Sequence, residues 1–491
     1  MMAFPSFTVV FARQLRALAT APRMVRHRSS GSSSGSRFTE RAKKDLRNAF
    51  AMPEKEGLDE HNRPPHETDV LIIGGGVMGS SIAYHLKRDS EVGLNVLVVE
   101  RDNMYTRAST TLSVGGIRQQ FSIPANVEMS MYSAEFLKTV KEHLCVDDAD
   151  PPDIQFNHGS YLILSSENGV EQMIENHKIQ KECGAMVSLL TAPQLKSKFP
   201  WLNTDDLALG SYGYDNEGWF DPWSLLKAFK EKALSLGAQY VHGEVTGFDI
   251  SQVPPAQAPM ALCTGSGRRI RTVKVKLPNS PETIPVKCSM VVLAAGAWSG
   301  EVAQLLDIGR GSEEDLLDKP VPVCPRKRYV FVVHAPDGPL LDCPLLVDNT
   351  GCYMRREGFG GNYLCGRCPA TEEEEPCCDN LQVDYDFFEQ CIWPHLANRV
   401  PAMENLKIKS AWAGFYDYNT LDQNAIIGIH PAYPNLYLAT GFSGHGIQQS
   451  PAVGLAISDL ILHGKFCTLD LSAFSFDRIM CDQPCREKNI F

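Results

Sequence analysis

Between Asp69 and Lys87 the chain runs for 17 residues without a charge, VLIIGGGVMGSSIAYHL. A membrane span needs about 20 apolar residues, and three consecutive glycines, two serines and a histidine dilute this run. The pattern divides instead. VLII reads as a buried parallel strand, after which Met78, Ile82 and Leu86 recur every four positions, with Ala83 beside them, and predict a helix. A second strand, NVLVVE, ends at Glu100. Further along, GSYLILSSE (159–167) predicts a strand, then a helix to about Gly184, and TAPQLKSKFPWL a shorter helix. In EGWFDPWSLLKAFKEKALSLGAQYV, Asp221 caps a helix with Pro222 in its first turn and Leu225, Ala228, Phe229 and Leu236 inward. KCSMVVLAAGAWSG (287–300) is a buried strand ending on small residues, while KRYVFVV and GCYMRREGFGGNYLCG alternate like antiparallel strands. TEEEEP (371–376) reads as a solvated loop, since four like charges repel. Alternating strands and helices imply an α/β architecture.

Gly74, Gly76 and Gly79 complete G-x-G-x-x-G at the end of the first strand, and Glu100 follows Gly79 by 21 residues. That is close to the spacing of about 20 expected for a carboxylate that binds a ribose hydroxyl. One glycine makes the turn, one admits a pyrophosphate to the backbone, and one lets the helix pack on the sheet. The helix N-terminus offers amides and a positive dipole end to phosphates. Taken together, strand, turn, helix, strand and acid make this stretch a nucleotide cradle rather than a span.

Composition narrows the class. A chain of 491 residues, 43% hydrophobic and 21% charged, suits a globular enzyme of two or more domains. A net charge of −11 argues against nucleic acid as a partner. The start departs from this balance: residues 1–39 hold six arginines and no acid, and the first acid is Glu40. With its serine-rich RHRSSGSSSGSR, residues 1–50 read as a mitochondrial transit peptide and linker. The 15 cysteines are scattered, which fits free thiols. The pair Cys365 and Cys368 in CGRC could be a redox pair, or bind zinc with Cys377 and Cys378, but lacks a well-spaced second pair. Structural or incidental cysteines are favoured, and no metal is expected.

Two later stretches choose among dinucleotides. LAAGAWS brings Ala295 and Gly296 to a strand end where backbone must approach something. TGFSGHGIQQSPAVG reads as a strand, a glycine loop with His445, then a helix opening near Gly446. Such a helix N-terminus stabilises negative charge, as a reduced flavin carries near N1 and C2=O. The order GGGVMG, Glu100, SVGGIR, EGWFDP, LAAGAW, WAGFYDYNTLDQNAIIG and TGFSGHGIQQSPAVG resembles the D-amino acid oxidase superfamily, nearest to the sarcosine, dimethylglycine and glycine oxidases, from about Thr68 to Asp470. The resemblance implies non-covalent FAD. Relatives that attach flavin covalently carry a cysteine near WAGFYDYNTLDQN, and this chain has none between Cys391 and Cys467.

By the same resemblance, Gly74, Gly76, Val77 and Gly79 hold the pyrophosphate, with Glu100 and Arg101 at the ribose. Ser109 and Thr110 add polar contacts, or form an ordinary polar loop, and Val245 meets adenine through its backbone. Ala295, Gly296 and Trp298 approach the cofactor, and Gly444, His445, Gly446, Ile447 and Gln448 close over the pyrimidine end of the ring. His445 either touches flavin or only holds its loop. Arg118 falls where sarcosine oxidases place an active-site arginine. Lys327 or Arg328 could put a cation by flavin N5, and Tyr353, Arg355 or Arg356 could hold a carboxylate. For each of these, a surface salt bridge is the alternative.

The implied architecture is an FAD-binding Rossmann-like domain (66–150, 215–320 and 412–470) with a second α+β substrate domain on an antiparallel sheet (151–214 and 321–411) and a tail, 471–491. A closer likeness within the superfamily, carried by STTLSVGGIRQQFS, PRKRYVFV and NEGWFDPW, is to a mitochondrial member. It implies a role in assembling respiratory complex I on the matrix side of the inner membrane, with complex I subunits or assembly intermediates as partners and peripheral membrane association. The alternative is an enzyme taking hydride from a carbon–nitrogen bond of a small amino acid or N-methyl amine.

Overall fold

Strand Glu67–Ile73 lies inside an eight-stranded sheet of the computed structural model, parallel to Val96–Glu100 on one side and Thr283–Leu293 on the other. Val70, Leu71 and Ile72 are fully buried because a parallel strand of this kind is covered on both faces. Gln239–His242 extends the parallel set on one side and Tyr433–Thr440 on the other, and antiparallel Ile426–His430 forms the outer edge. The structure describes residues 62–488, except 148, 253–266, 279 and 314; the expected transit segment lies outside the described residues.

The charge-free run is a strand end, a glycine turn and the helix Val77–Asp89. No helix among the described residues is long and apolar enough to cross a membrane. This helix packs beside Pro222–Ser235 and Gly446–His463. The approach to the latter is close: a Cβ on Gly454 would lie 2.1 Å from Ser81 Oγ, which donates to the Ser450 carbonyl at 2.8 Å. Asp221 caps its helix as the pattern predicts, accepting from the Trp223 and Ser224 amides.

The second eight-stranded sheet, antiparallel but for Leu345–Val347 beside Tyr161–Ser165, comes from the segments expected to form the substrate domain. One boundary needs correction. Strand Lys407–Asn419 pairs along its whole length with Val323–His334, so it belongs to this sheet, and the division expected at 411 falls near 420. The expected tail is also structured where described. Arg478, in the short helix Asp477–Met480, is buried against Asp422, and Glu487 accepts from the Ser122 amide (2.6 Å), Ser122 Oγ (2.5 Å) and Asn126 Nδ2 (2.5 Å). These residues strap the molecule instead of trailing from it.

Candidate functional site

The parallel strands end on a common rim, where a cavity of about 1410 Å³ runs from the glycine turn to the second sheet. The three glycines divide the work by geometry. Gly74 has φ +102°, and a Cβ there would lie 2.3 Å from the Ala294 carbonyl oxygen. A Cβ on Gly79 would lie 1.9 Å from the Gly74 carbonyl oxygen, so this glycine lets the helix sit on the strand end. Gly76 is unstrained at φ −62°, and its missing side chain leaves the helix N-terminus open to the cavity. Val77 follows, its amide donating to Thr110 Oγ1 at 3.1 Å, so Thr110 caps a helix that Gly76 cannot cap. Ser109 also lines the cavity. Glu100 Oε2 accepts from the Gly75 amide at 2.7 Å and Oε1 from the Asp102 amide at 2.9 Å, while burial raises its pKa. Arg101 lies with its guanidinium 4.0 Å from the centre of the Trp298 ring.

Val245, Ala295, Gly296 and Trp298 also line the cavity. Gly444, His445, Gly446, Ile447 and Gln448 lie beyond them, at the start of helix Gly446–His463. His445 stands edge-on to Phe121, with Arg118 Nη2 3.4 Å from its Nε2. Burial, reinforced by the Arg118 charge, lowers its pKa to about 3, so it is neutral at physiological pH. Gln448 Oε1 accepts from the Arg118 amide at 2.8 Å, tying this loop to the segment that follows the short strand Gly116–Ile117. An elongated cavity, a cradle that side chains would fill and two helix N-termini fit a dinucleotide with negative charge near each end.

The expected catalytic residues separate. Arg118 lines the cavity and makes no ion pair among the described residues. Arg328 also lines it but is held bidentately by Glu375, at 2.7 and 2.9 Å. Lys327 is a correction: adjacent side chains of a strand point to opposite faces, and its Nζ donates to the Gln382 carbonyl, away from the cavity. Arg356 is another, since it lies against Trp219 and Phe359 and donates to the Gly358 carbonyl outside the cavity. Of its neighbours, Tyr353 faces the cavity, while Arg355 pairs with Glu357. The acidic run is not simply solvated. Glu372 pairs with Arg326, Glu374 with Arg367 and Glu375 with Arg328, so cations from two strands of the second sheet offset its self-repulsion.

Sequence reasoning missed the floor of the cavity, formed by Tyr161, Tyr416, Arg367 and Cys368. One signal was available: Gly414 and Tyr416 alternate along a strand whose motif already pointed to the cofactor. It also missed Glu217, which is 1% exposed and accepts from the Gln119 amide at 2.9 Å. Burial pushes its carboxyl up to about 8 against the opposing effects of that amide and Arg118. A raised carboxyl pKa favours the folded state at low pH, and that contribution fades as pH rises from the unfolded value toward about 8. Thermal melts between those limits should therefore slope less steeply for Glu217→Gln than for the unaltered protein; parallel curves would contradict this assignment.

The fold and cradle define a flavin-dependent oxidoreductase, and comparison with known proteins gives the same class. The family described as FAD dependent oxidoreductase matches residues 69–460, and the chain belongs to it. It is 56% identical over 429 residues to FAD-dependent oxidoreductase domain-containing protein 1 of Xenopus laevis, covering 87% of this chain and 85% of that protein. The Drosophila melanogaster homolog of that protein is 43% identical, covering 86% and 80%. Among solved structures, L-proline dehydrogenase from P. horikoshii superimposes with a TM-score of 0.70 at 26% identity, over 86% of this chain and 100% of that one. FAD is thus the cofactor. With no cysteine from 392 to 466 to anchor it, acid precipitation should release the yellow colour into the supernatant; colour retained in the pellet would mean a covalent link.

Proposed function

We propose that this chain is a mitochondrial FAD-dependent oxidoreductase-like flavoprotein required for assembly of respiratory complex I. In this reading it acts on the matrix side of the inner membrane, held there peripherally, and contacts complex I subunits or assembly intermediates. The support is the motif order STTLSVGGIRQQFS, NEGWFDPW and PRKRYVFV, together with an acid-free, arginine-rich start. Depleting the protein from cells should leave partly assembled complex I on native gels, and returning it should restore the full complex. Unaltered complex I would refute the reading. Carbonate extraction of mitochondria should release the protein, whereas retention in the pellet would argue against peripheral attachment.

The cavity favours a second reading, an amine or N-methyl amino acid dehydrogenase or oxidase. FAD, when bound, supplies the acceptor for a hydride from a carbon–nitrogen bond. Arg118 offers a guanidinium to a substrate carboxylate, and neutral His445 positions it without adding charge. Tyr161 and Tyr416 wall the space beyond. Candidate amines added without oxygen should bleach the visible flavin spectrum; no bleaching by any of them would leave only the assembly role.

A further inference from the structure

We infer that Glu374 and Glu375 set the charge selectivity of the far end of the cavity, which accepts a neutral or cationic group and rejects a second carboxylate. This deepens the amine-oxidation reading and rests on it, although the selectivity itself is a property of binding.

Two arginines reach the cavity from the second sheet, and either alone would make a receptor for an anion. Each is already paired with a carboxylate. Arg328 Nη1 and Nη2 lie 2.7 and 2.9 Å from the two oxygens of Glu375, with both side chains nearly buried. Arg367 Nη1 lies 3.2 Å from Glu374, which also accepts from the Ala370 amide at 2.8 Å. Arg326 holds Glu372 at 2.8 Å, fixing the same run a third time. An incoming carboxylate must displace a bidentate partner tethered to the same chain, or sit close to Glu374 and Glu375 without a counter-charge. Both cost more than placing a neutral group there.

The remaining surface points the same way. Tyr416 stacks against Arg328, whose guanidinium carbon is 5.2 Å from the ring centre, and Tyr161 and Tyr353 complete an aromatic wall. Aromatic faces receive apolar and cationic groups. Arg118, with its guanidinium carbon 6.0 Å from the centre of the Tyr161 ring, makes no ion pair among the described residues. The cavity therefore suits one acid group at most, held at Arg118, with a neutral, aromatic or cationic remainder toward Arg328.

Pentanoate and pentanedioate, which differ by one carboxylate, test this by titration of the FAD-loaded protein, followed through the flavin absorption without turnover. Pentanoate should bind at least about tenfold more tightly. In Glu375→Gln, which frees Arg328, pentanedioate should gain about tenfold while pentanoate changes little, and adding Arg328→Gln should remove the gain. If Glu375→Gln fails to hold flavin, Glu374→Gln frees Arg367 by breaking a single ion pair, and the same gain is expected. Equal binding of both acids by the unaltered protein, no binding of either, or an unchanged preference in the freed-arginine variant overturns the inference. Amines that bleach the flavin while this preference is absent would sink the inference alone. The expected preference without bleaching by any amine would sink the turnover reading alone.

Discussion

Gly79→Ala should yield little soluble protein, and what is recovered should be colourless. The added carbon would lie 1.9 Å from the Gly74 carbonyl oxygen, which is backbone at the end of a central strand. Overpacking typically costs 1–3 kcal/mol when neighbouring side chains can give way. Here relief requires moving the helix off the sheet, against the Ser81–Ser450 bond and the close Gly454 crossing, so a loss of about 3 kcal/mol or more is expected. Gly76→Val separates binding from folding. Gly76 has an ordinary backbone conformation, and its Cβ would approach only Thr110 Oγ1, at 3.3 Å. That variant should keep its circular dichroism spectrum and lose its flavin, because the new side chain occupies the open helix N-terminus. A yellow, fully loaded Gly76→Val would show that the phosphates lie elsewhere.

The second large effect is expected at Asp422. Its carboxylate, wholly buried, accepts from Arg478 Nε (2.7 Å) and Nη2 (3.2 Å), Asn419 Nδ2 (2.9 Å) and the amides of Asn424 (3.2 Å) and Cys485 (3.0 Å). Asp422→Ala strands the Arg478 cation in the interior and should cost about 3–5 kcal/mol. Denaturant melts will measure it, and a loss below about 1 kcal/mol would mean that the pair holds little together. Asp422→Leu combined with Arg478→Met removes both charges and should be milder than the single change, since no uncompensated charge remains.

How much of this could be read from the sequence depended on distance along the chain. The glycine turn, its helix and Glu100 were legible because their requirements are local: a φ of +102° at Gly74, a contact at Gly79, a carboxylate at the end of the next strand. The strand Thr283–Leu293 was legible as buried, but not as the neighbour of Glu67–Ile73. Alternation put Lys327 and Arg328 on opposite faces, yet could not say which face met the cavity. The acidic run looked solvated because two of its arginine partners, Arg326 and Arg328, belong to a strand remote in the sequence, and only Arg367 lies near it. Helix Pro124–Lys138 escaped notice because Asn126, Ser130 and Ser133 are buried beside Val127 and Met129, which blurs the apolar stripe.

The sheet that holds the cradle draws its middle from three remote parts of the chain, with Glu67–Ile73 next to Thr283–Leu293 and Thr283–Leu293 next to Tyr433–Thr440. A ribosome delivers these in that order, and the helix that closes the site, Gly446–His463, follows all of them. During synthesis the first strand can pair early with Val96–Glu100, but its other edge must wait for Thr283–Leu293, made much later. Pairings of such long range form slowly and leave edges open to aggregation. The flavin site cannot be completed on a growing chain, so the protein should depend on chaperones until its last strands are in place, and cofactor supply should affect its yield only after synthesis has ended.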